Sequence, residues 1–251
     1  MSATYSVSHY REIAKVDAQH FWFRARGAML TALIKQLVPK DKRGSFLEVG
    51  CGTGIVLGQL QALGFSVTGL DVNQTALDWA KRKCPDAHLI RQSIYSFTSP
   101  HRCGAVGAFD VLEHQTQDVL FLKRCWALLE KEGTLFLTVP AGQWLWSRID
   151  VISGHKRRYE VEDLRERLRI AGFHVQFMNY WNVFPLPWYM LFRIYATHQR
   201  FVPTVPMYLH VPNGFINTLL YYLLRVEQLL FFTLPFPRGA TLVVCARKVT
   251  S

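Results

Sequence analysis

Short apolar runs alternate with stretches of helical period along most of the chain. Phe46-Leu47, Ser66–Leu70, His88–Arg91, Ala105–Asp110, Thr134–Val139, Phe173–Met178 and Ala240–Arg247 have the length and composition of strands. Between them, Ile55, Leu57, Leu60 and Leu63 mark one helix, and Gln74–Lys83 another that ends before Pro85. Val119–Glu130 is a helix stopped by Lys131-Glu132-Gly133, and Glu160–Ala171 one closed by Gly172. Ahead of the first strand, residues from about Tyr5 to Leu37 have helical character, with Pro39 and Lys40–Arg43 as linker. The alternation predicts an α/β fold: a doubly wound, seven-stranded, mostly parallel sheet. The expected division is an N-terminal helical cap (1–43), an α/β core (44–181), an apolar helical insertion (182–238) and a last core strand (239–251). The chain shows no internal repeat and no low-complexity tract.

The insertion breaks the pattern. More than fifty residues, from Asn182 to Pro237, separate two strands that a short hairpin would join, and Glu227 is their one carboxylate. Trp188–Thr197 and Phe215–Leu234 are its helical pieces. The second is long enough to span a bilayer by length alone, but Asn217, Arg225, Glu227 and Gln228 interrupt it. Asn217, Tyr221, Arg225 and Gln228 fall on one side. Such a stripe suits a helix lying in an interface or closing over a pocket. Trp181, Trp188, Tyr189, Arg193, Arg200 and Tyr208 are the residue types of headgroup depth. Peripheral membrane contact through 182–238 is therefore expected; a lid on its own domain or on a dimer partner is the alternative, and the oligomeric state stays open.

Composition narrows the partners. Of 251 residues, 50% are hydrophobic, 14% aromatic and 19% charged, with 29 Lys and Arg against 18 Asp and Glu, a net charge of +11. That balance suits a polyanion, an anionic membrane or a phosphorylated substrate. The cations are spread out and no RNA-binding accessory motif stands out, so nucleic acid is not the expected partner. Cys51, Cys84, Cys103, Cys125 and Cys245 are odd in number and contain no CxxC pair, which suits reduced thiols. The opening MSATYSVSHYREIAK lacks an apolar signal-peptide core. The expected location is cytoplasmic, on the inner face of a membrane.

The chemistry concentrates in FLEVGCGTGIVLGQLQALGFSVTGLD, Phe46 to Asp71. A strand ending at Glu48 leads into Gly50, Gly52 and Gly54, then a helix, then a strand ending in Asp71. Glycines let the loop turn sharply and let backbone approach a ligand, and an acid about 20 residues on suits a ribose diol. The unit is one that holds a nucleoside-bearing cofactor.

EVGCGTG resembles motif I of class I S-adenosylmethionine (SAM) methyltransferases, and GLDVN their acidic second motif. The third glycine follows the second by two residues, against a dinucleotide site. The resemblance implies a Rossmann-like methyltransferase fold with SAM as cofactor. Glu48, Gly50, Cys51, Gly52 and Gly54 would then frame the methionine and ribose, and Asp71 and Val72 would meet the ribose. FDVLEH, Phe109 to His114, is similar to the end of the fourth strand in this superfamily, which implies that Phe109 and Asp110 face the methionine. Ser93 stands where an adenine-binding Asp is usual, leaving its hydroxyl and the Ile94 amide as substitutes. HFWFRAR (His20–Arg26), VPAGQWLWS (Val139–Ser147) and GHKRRY (Gly154–Tyr159) resemble a bacterial subgroup linked to surface-glycan and polyprenol pathways.

A hydroxyl acceptor needs a base. His114 is the first candidate, with Glu113 to orient it; a similar Glu-His in some quinone O-methyltransferases suggests a divalent metal instead, and plain helix capping is the alternative to both. No metal ligand set is assigned. His155 is the second candidate base. Arg157, Arg158 and Tyr159 precede a helix and form a candidate anion clamp, the bland alternative being a basic turn beside Glu160, Glu162 and Asp163. Trp144, Trp146 and His20–Phe23 are candidate walls of an apolar acceptor pocket, and Arg24 and Arg26 candidate partners of the SAM carboxylate. No Asn/Asp-Pro-Pro-Tyr motif is present, which favours O-methylation. The expected function is SAM-dependent methylation of a lipidic or lipid-linked anionic acceptor. The alternatives are a small-molecule enzyme acting on a quinone or natural product, an RNA methyltransferase, and a non-catalytic scaffold.

Overall fold

The computed structural model describes residues 7–198 and 210–249. Arg200, Tyr208 and the start of the expected N-terminal helix lie outside them. Strands β1 (Ser45–Val49), β2 (Ser66–Asp71), β3 (His88–Arg91), β4 (Cys103–Phe109), β5 (Leu129–Pro140), β6 (Phe173–Trp181) and β7 (Thr241–Lys248) form one sheet in the order β3-β2-β1-β4-β5-β7-β6. The first five run parallel, and β7 is antiparallel to both neighbours. The strand order reverses between β1 and β4. A crevice therefore opens there, at the carboxyl ends of the strands.

Apolar side chains cover both faces, as a parallel sheet requires. On one face, α5 (Asp118–Leu128) and α7 (Val161–Ile170) bury Phe121, Leu122, Leu164 and Leu168 against Val106, Leu135 and Leu242. On the other, α2 (Phe21–Leu37), α3 (Ile55–Ala62), α4 (Gln74–Lys83) and α9 (Gly214–Phe231) bury Leu30, Leu57, Leu77 and Phe231 against Phe46, Phe136 and Val243. The N-terminal helix divides into α1 (Val7–Val16) and α2 because the His20 side chain caps α2, accepting from the Trp22 amide at 3.2 Å. The insertion holds α8 (Leu186–His198) as well as α9, and α8 packs on the short α6 (Arg148–Ile152). β5 starts at Leu129, earlier than Thr134, because fully buried Leu129 pairs with Cys103 before the irregular register at the edge of β4.

α9 is amphipathic in an inverted sense. Its polar residues face the protein: Asn217 Oδ1 accepts from the Phe21 amide and its Nδ2 donates to the Gln19 carbonyl, both at 2.9 Å. Glu227 is fully buried and accepts from the amides of Val183 and Phe184 at 2.9–3.1 Å. Among the described residues, no helix is long and apolar enough to cross a membrane.

Candidate active site

The loops at the carboxyl ends of β1 to β5 surround a cavity of about 1200 Å³. Gly50, Gly52 and Gly54 all have positive φ, which the β1–α3 turn demands. At Gly54 (φ +80°) a Cβ would come within 2.9 Å of Ala80 in α4, while a Cβ on Gly52 (φ +52°) would meet nothing and project into open space. Gly52 donates to Asp71 Oδ2 and Asn73 to Oδ1, each at 2.9 Å, which fixes the carboxylate at the cavity wall. Burial raises the Asp71 carboxyl, and the amides of Asn73 and Gly52 oppose that rise.

Glu48 lies at the floor, 3% exposed, and its Oε2 has no hydrogen-bond partner among the described residues. Burial pushes its carboxyl up to about 8; Arg26 lowers it and Asp71 raises it further. An orphaned buried carboxyl beside an open glycine loop fits the ammonium of an amino-acid moiety. Across from it, Arg26 Nη2 donates to Asp110 Oδ2 at 2.5 Å, and Thr138 Oγ1 to Asp110 Oδ1 at 3.1 Å. Asp110 is held at φ +59°, which turns the chain out of β4 into the crevice.

Of the residues expected to meet the cofactor, Glu48, Gly50, Cys51, Gly52, Asp71, Val72, Ser93, Ile94, Phe109 and Asp110 line this one cavity; Gly54 stands behind them against Ala80. Glu113, His114, His155 and Arg158 line it too. Arg157, Tyr159, Trp144 and Trp146 are not among its lining residues, and the apolar wall comes instead from Phe21, Trp22 and Phe23 of α2 and from Trp188, Tyr189, Ile216 and Leu220 of the insertion. Arg24 is exposed and stacks over Tyr221, whereas Arg26 reaches the cavity.

The expected anion clamp takes another form: its arginines are paired within the protein, on carboxylates that each serve two guanidiniums. Arg157 Nη1 donates to Asp118 at 2.6 Å, and Tyr159 is buried with its hydroxyl 3.3 Å from Asp118. Arg158 is buried and donates to Asp150 Oδ1 at 2.9 Å and to the Ala141 carbonyl at 2.8 Å. Arg193 from α8 binds the same carboxylate through Nη1. For Arg158 the physical reason is desolvation: a guanidinium this deep requires a countercharge, and Asp150 supplies it, while half-buried Arg157 is drawn to the buried carboxylate of Asp118.

Asp150 also organises His155, whose Nδ1 lies 2.9 Å from Asp150 Oδ1. Burial alone would raise this carboxyl, but hydrogen bonds from His155, Arg193 and Arg158 hold it well below the usual carboxylate range. It is thus an anion that accepts from Nδ1–H, leaving Nε2 of His155 as the free base position, 3.9 Å from Glu113 Oε1. His114 differs. Burial, then the neighbouring His155, push its imidazole down to about 4. Glu113 is 1% exposed, neither of its oxygens has a hydrogen-bond partner among the described residues, and burial and then Asp110 raise its carboxyl well above the ordinary value. One ligand atom each from Glu113, His114 and His155 lie within 4.8 Å of one another, a donor set that also suits a divalent cation. Asp150 is a site residue that the pattern of the chain did not single out, although the Ser147-x-x-Asp150 spacing, a capping box at the start of α6, was a readable signal. Tyr189 and Arg193, expected at headgroup depth, are instead tied into the site, with Arg193 buried on Asp150.

This arrangement, a glycine loop and acid at the switch point of a seven-stranded sheet, defines a class I methyltransferase. A family model described as a methyltransferase domain matches residues 20–177, and the chain belongs to that family. Residues 20–177 are thus a methyltransferase domain of the SAM-dependent kind, with SAM its cofactor. It is 23% identical over 180 residues to a probable SAM-dependent methyltransferase of Mycobacterium tuberculosis, covering 68% of this chain and 62% of that relative. It is 30% identical over 102 residues to a ubiquinone biosynthesis O-methyltransferase of Bradyrhizobium diazoefficiens, covering 39% of this chain and 40% of that one. The chain thus spans about three-fifths or less of the length of these relatives. Its fold matches magnesium protoporphyrin IX methyltransferase from Synechocystis, solved with bound SAM, with a TM-score of 0.55 at 13% identity over 90% of this chain and 81% of that one.

Proposed function

We propose that the enzyme methylates an oxygen of a lipidic or lipid-linked acceptor, of the kind the resemblance to glycan- and polyprenol-pathway enzymes suggests. One observation carries this reading: the cofactor loop and the Asp150–His155 pair open into the same cavity as apolar walls built by α2 and the insertion. SAM supplies a methyl carbon on a sulfonium, so the protein has to bind, orient and deprotonate. Glu48 and Arg26 would hold the two charges of its amino-acid end, and Asp71 the ribose. Trp188, Ile216 and Leu220 would seat the apolar part of the acceptor. His155 Nε2, oriented by Asp150, would take the proton of the acceptor hydroxyl. Arg158 and Arg193 share the single carboxylate of Asp150 and both line the cavity, so one positive charge in excess would suit an anionic group on the acceptor.

The test is transfer of radiolabelled methyl from SAM into a cell extract, followed by organic–aqueous partition. Label in the organic phase supports a lipidic acceptor. Label in small aqueous molecules would make the insertion a simple lid and favour a water-soluble natural-product hydroxyl. A quinone, the reading that the similarity to the ubiquinone biosynthesis enzyme supports, would carry label into the organic phase and is told apart by mass spectrometry of that fraction.

A further inference from the structure

The outer face of α9 carries a continuous apolar stripe. Phe215, Leu219, Tyr222, Val226 and Leu229 are all at least half exposed, Phe215 at 79% and Leu229 at 75%. Their spacing of four, three, four and three residues keeps them within about 80° of helix arc. An ordinary surface helix presents its polar side to water. Here Asn217, Glu227 and Gln228 are turned inward onto α2 and the Val183–Phe184 backbone, so the outward stripe is left apolar and aromatic, with exposed Thr218 at its edge. On α8, Trp188, Leu191 and Ile194 form a second exposed apolar face. Trp188 and Ile216 are exposed and also line the cavity, so this surface runs into the mouth of the active site.

Charge selects the occupant. Glu227 is the single carboxylate of residues 182–238 and is fully buried, so the insertion shows no negative charge outside. Cations border the stripe: Arg225 beside it on α9, and Arg24 over Tyr221. A second copy would bring this same cationic border against itself, without the opposite charges that specify paired helices. An anionic bilayer surface satisfies both the apolar stripe and the cations.

We propose that the outer faces of α9 and α8 dock the enzyme on an anionic lipid bilayer, with α9 lying in the interface and the cavity mouth opening toward the lipid. This rests on the lipidic-acceptor reading for its purpose, though not for its geometry: an apolar acceptor would pass from bilayer to cavity along Trp188 and Ile216 without crossing water.

The experiment is co-sedimentation of the full chain with vesicles of phosphatidylglycerol and phosphatidylcholine, with no acceptor present. The comparison is a variant combining Phe215→Ser, Leu219→Ser and Leu229→Ser, with SAM affinity measured by calorimetry to verify its fold. The wild type should sediment with these vesicles and bind pure phosphatidylcholine more weakly. The variant should lose about tenfold or more in partitioning, at unchanged SAM affinity. Wild-type protein left in the supernatant would overturn the proposal. So would a variant that sediments like wild type, or a wild-type dimer in light scattering that the variant converts to monomer without any vesicle binding. Because docking is read without acceptor, its failure leaves the acceptor reading to the partition of methyl label. Aqueous label with intact docking would sink that reading alone.

Discussion

His155 Nδ1 lies 2.9 Å from Oδ1 of Asp150, and the same carboxylate binds Arg158 and Arg193. One buried anion therefore orients the candidate base and ties the insertion to the catalytic loop. Positioning of the acceptor and readiness of the base are physically coupled.

His155→Ala should lower kcat by about 100-fold or more with SAM affinity unchanged, the scale of a lost general base. Asp150→Asn should act on stability as well, by about 3–5 kcal/mol, because it leaves two buried guanidiniums without their countercharge. A chelator should leave the wild-type rate unaltered. Inactivation by a chelator, with rescue by a divalent cation, would reassign Glu113, His114 and His155 to a metal site.

Glu48 links cofactor binding to protons. With its carboxyl raised from 4.5 to about 8, it is mostly protonated at neutral pH before SAM binds. An ammonium beside it favours ionisation, so binding should release nearly a full proton at pH 7, read by calorimetry in buffers of different ionisation heat. For stability the sign is the reverse of a salt-bridged acid. The folded state holds this proton more tightly, so its contribution is complete below 4.5 and is lost as pH rises through about 8. Glu48→Gln should abolish both the proton release and this alkaline loss.

Glu227 anchors the insertion by accepting from two backbone amides. Glu227→Ala leaves both without a partner and should cost about 1–3 kcal/mol for each in denaturant unfolding. Glu227→Gln keeps an acceptor and should recover part of that. Equal stability of Ala variant and wild type would show that the insertion is held by its apolar contacts alone.

The parts of this molecule legible in its sequence are those governed by local rules. Strands with both faces covered appear as apolar runs, and the turn from Val49 to Gly54 announces itself because only glycine takes those dihedrals comfortably. Partner choice was not legible. Arg157 and Arg158 resemble a free clamp until the fold brings Asp118, 39 residues away, against Arg157 and Asp150 against Arg158. The side of α9 that faces inward depends on the backbone of Gln19 and Phe21, nearly two hundred residues earlier, which no periodicity can reveal. Trp144 and Trp146 carry the composition of a pocket wall but lie beyond the cavity, whereas Trp188 reaches it from the insertion.

The strand order has a consequence for how the enzyme comes into being. β7, made after the other six strands, is threaded between β5 and β6, and α9 just before it covers α2, which precedes β1. A growing chain can build the glycine loop and its neighbouring strands early, but the far half of the sheet stays open and α2 stays uncovered until β7 has emerged. The acceptor side of the cavity, with walls from α2 and the insertion, closes only then. The glycine loop is thus complete before the acceptor side of the cavity, which forms only once β7 has been made and α2 and α9 meet.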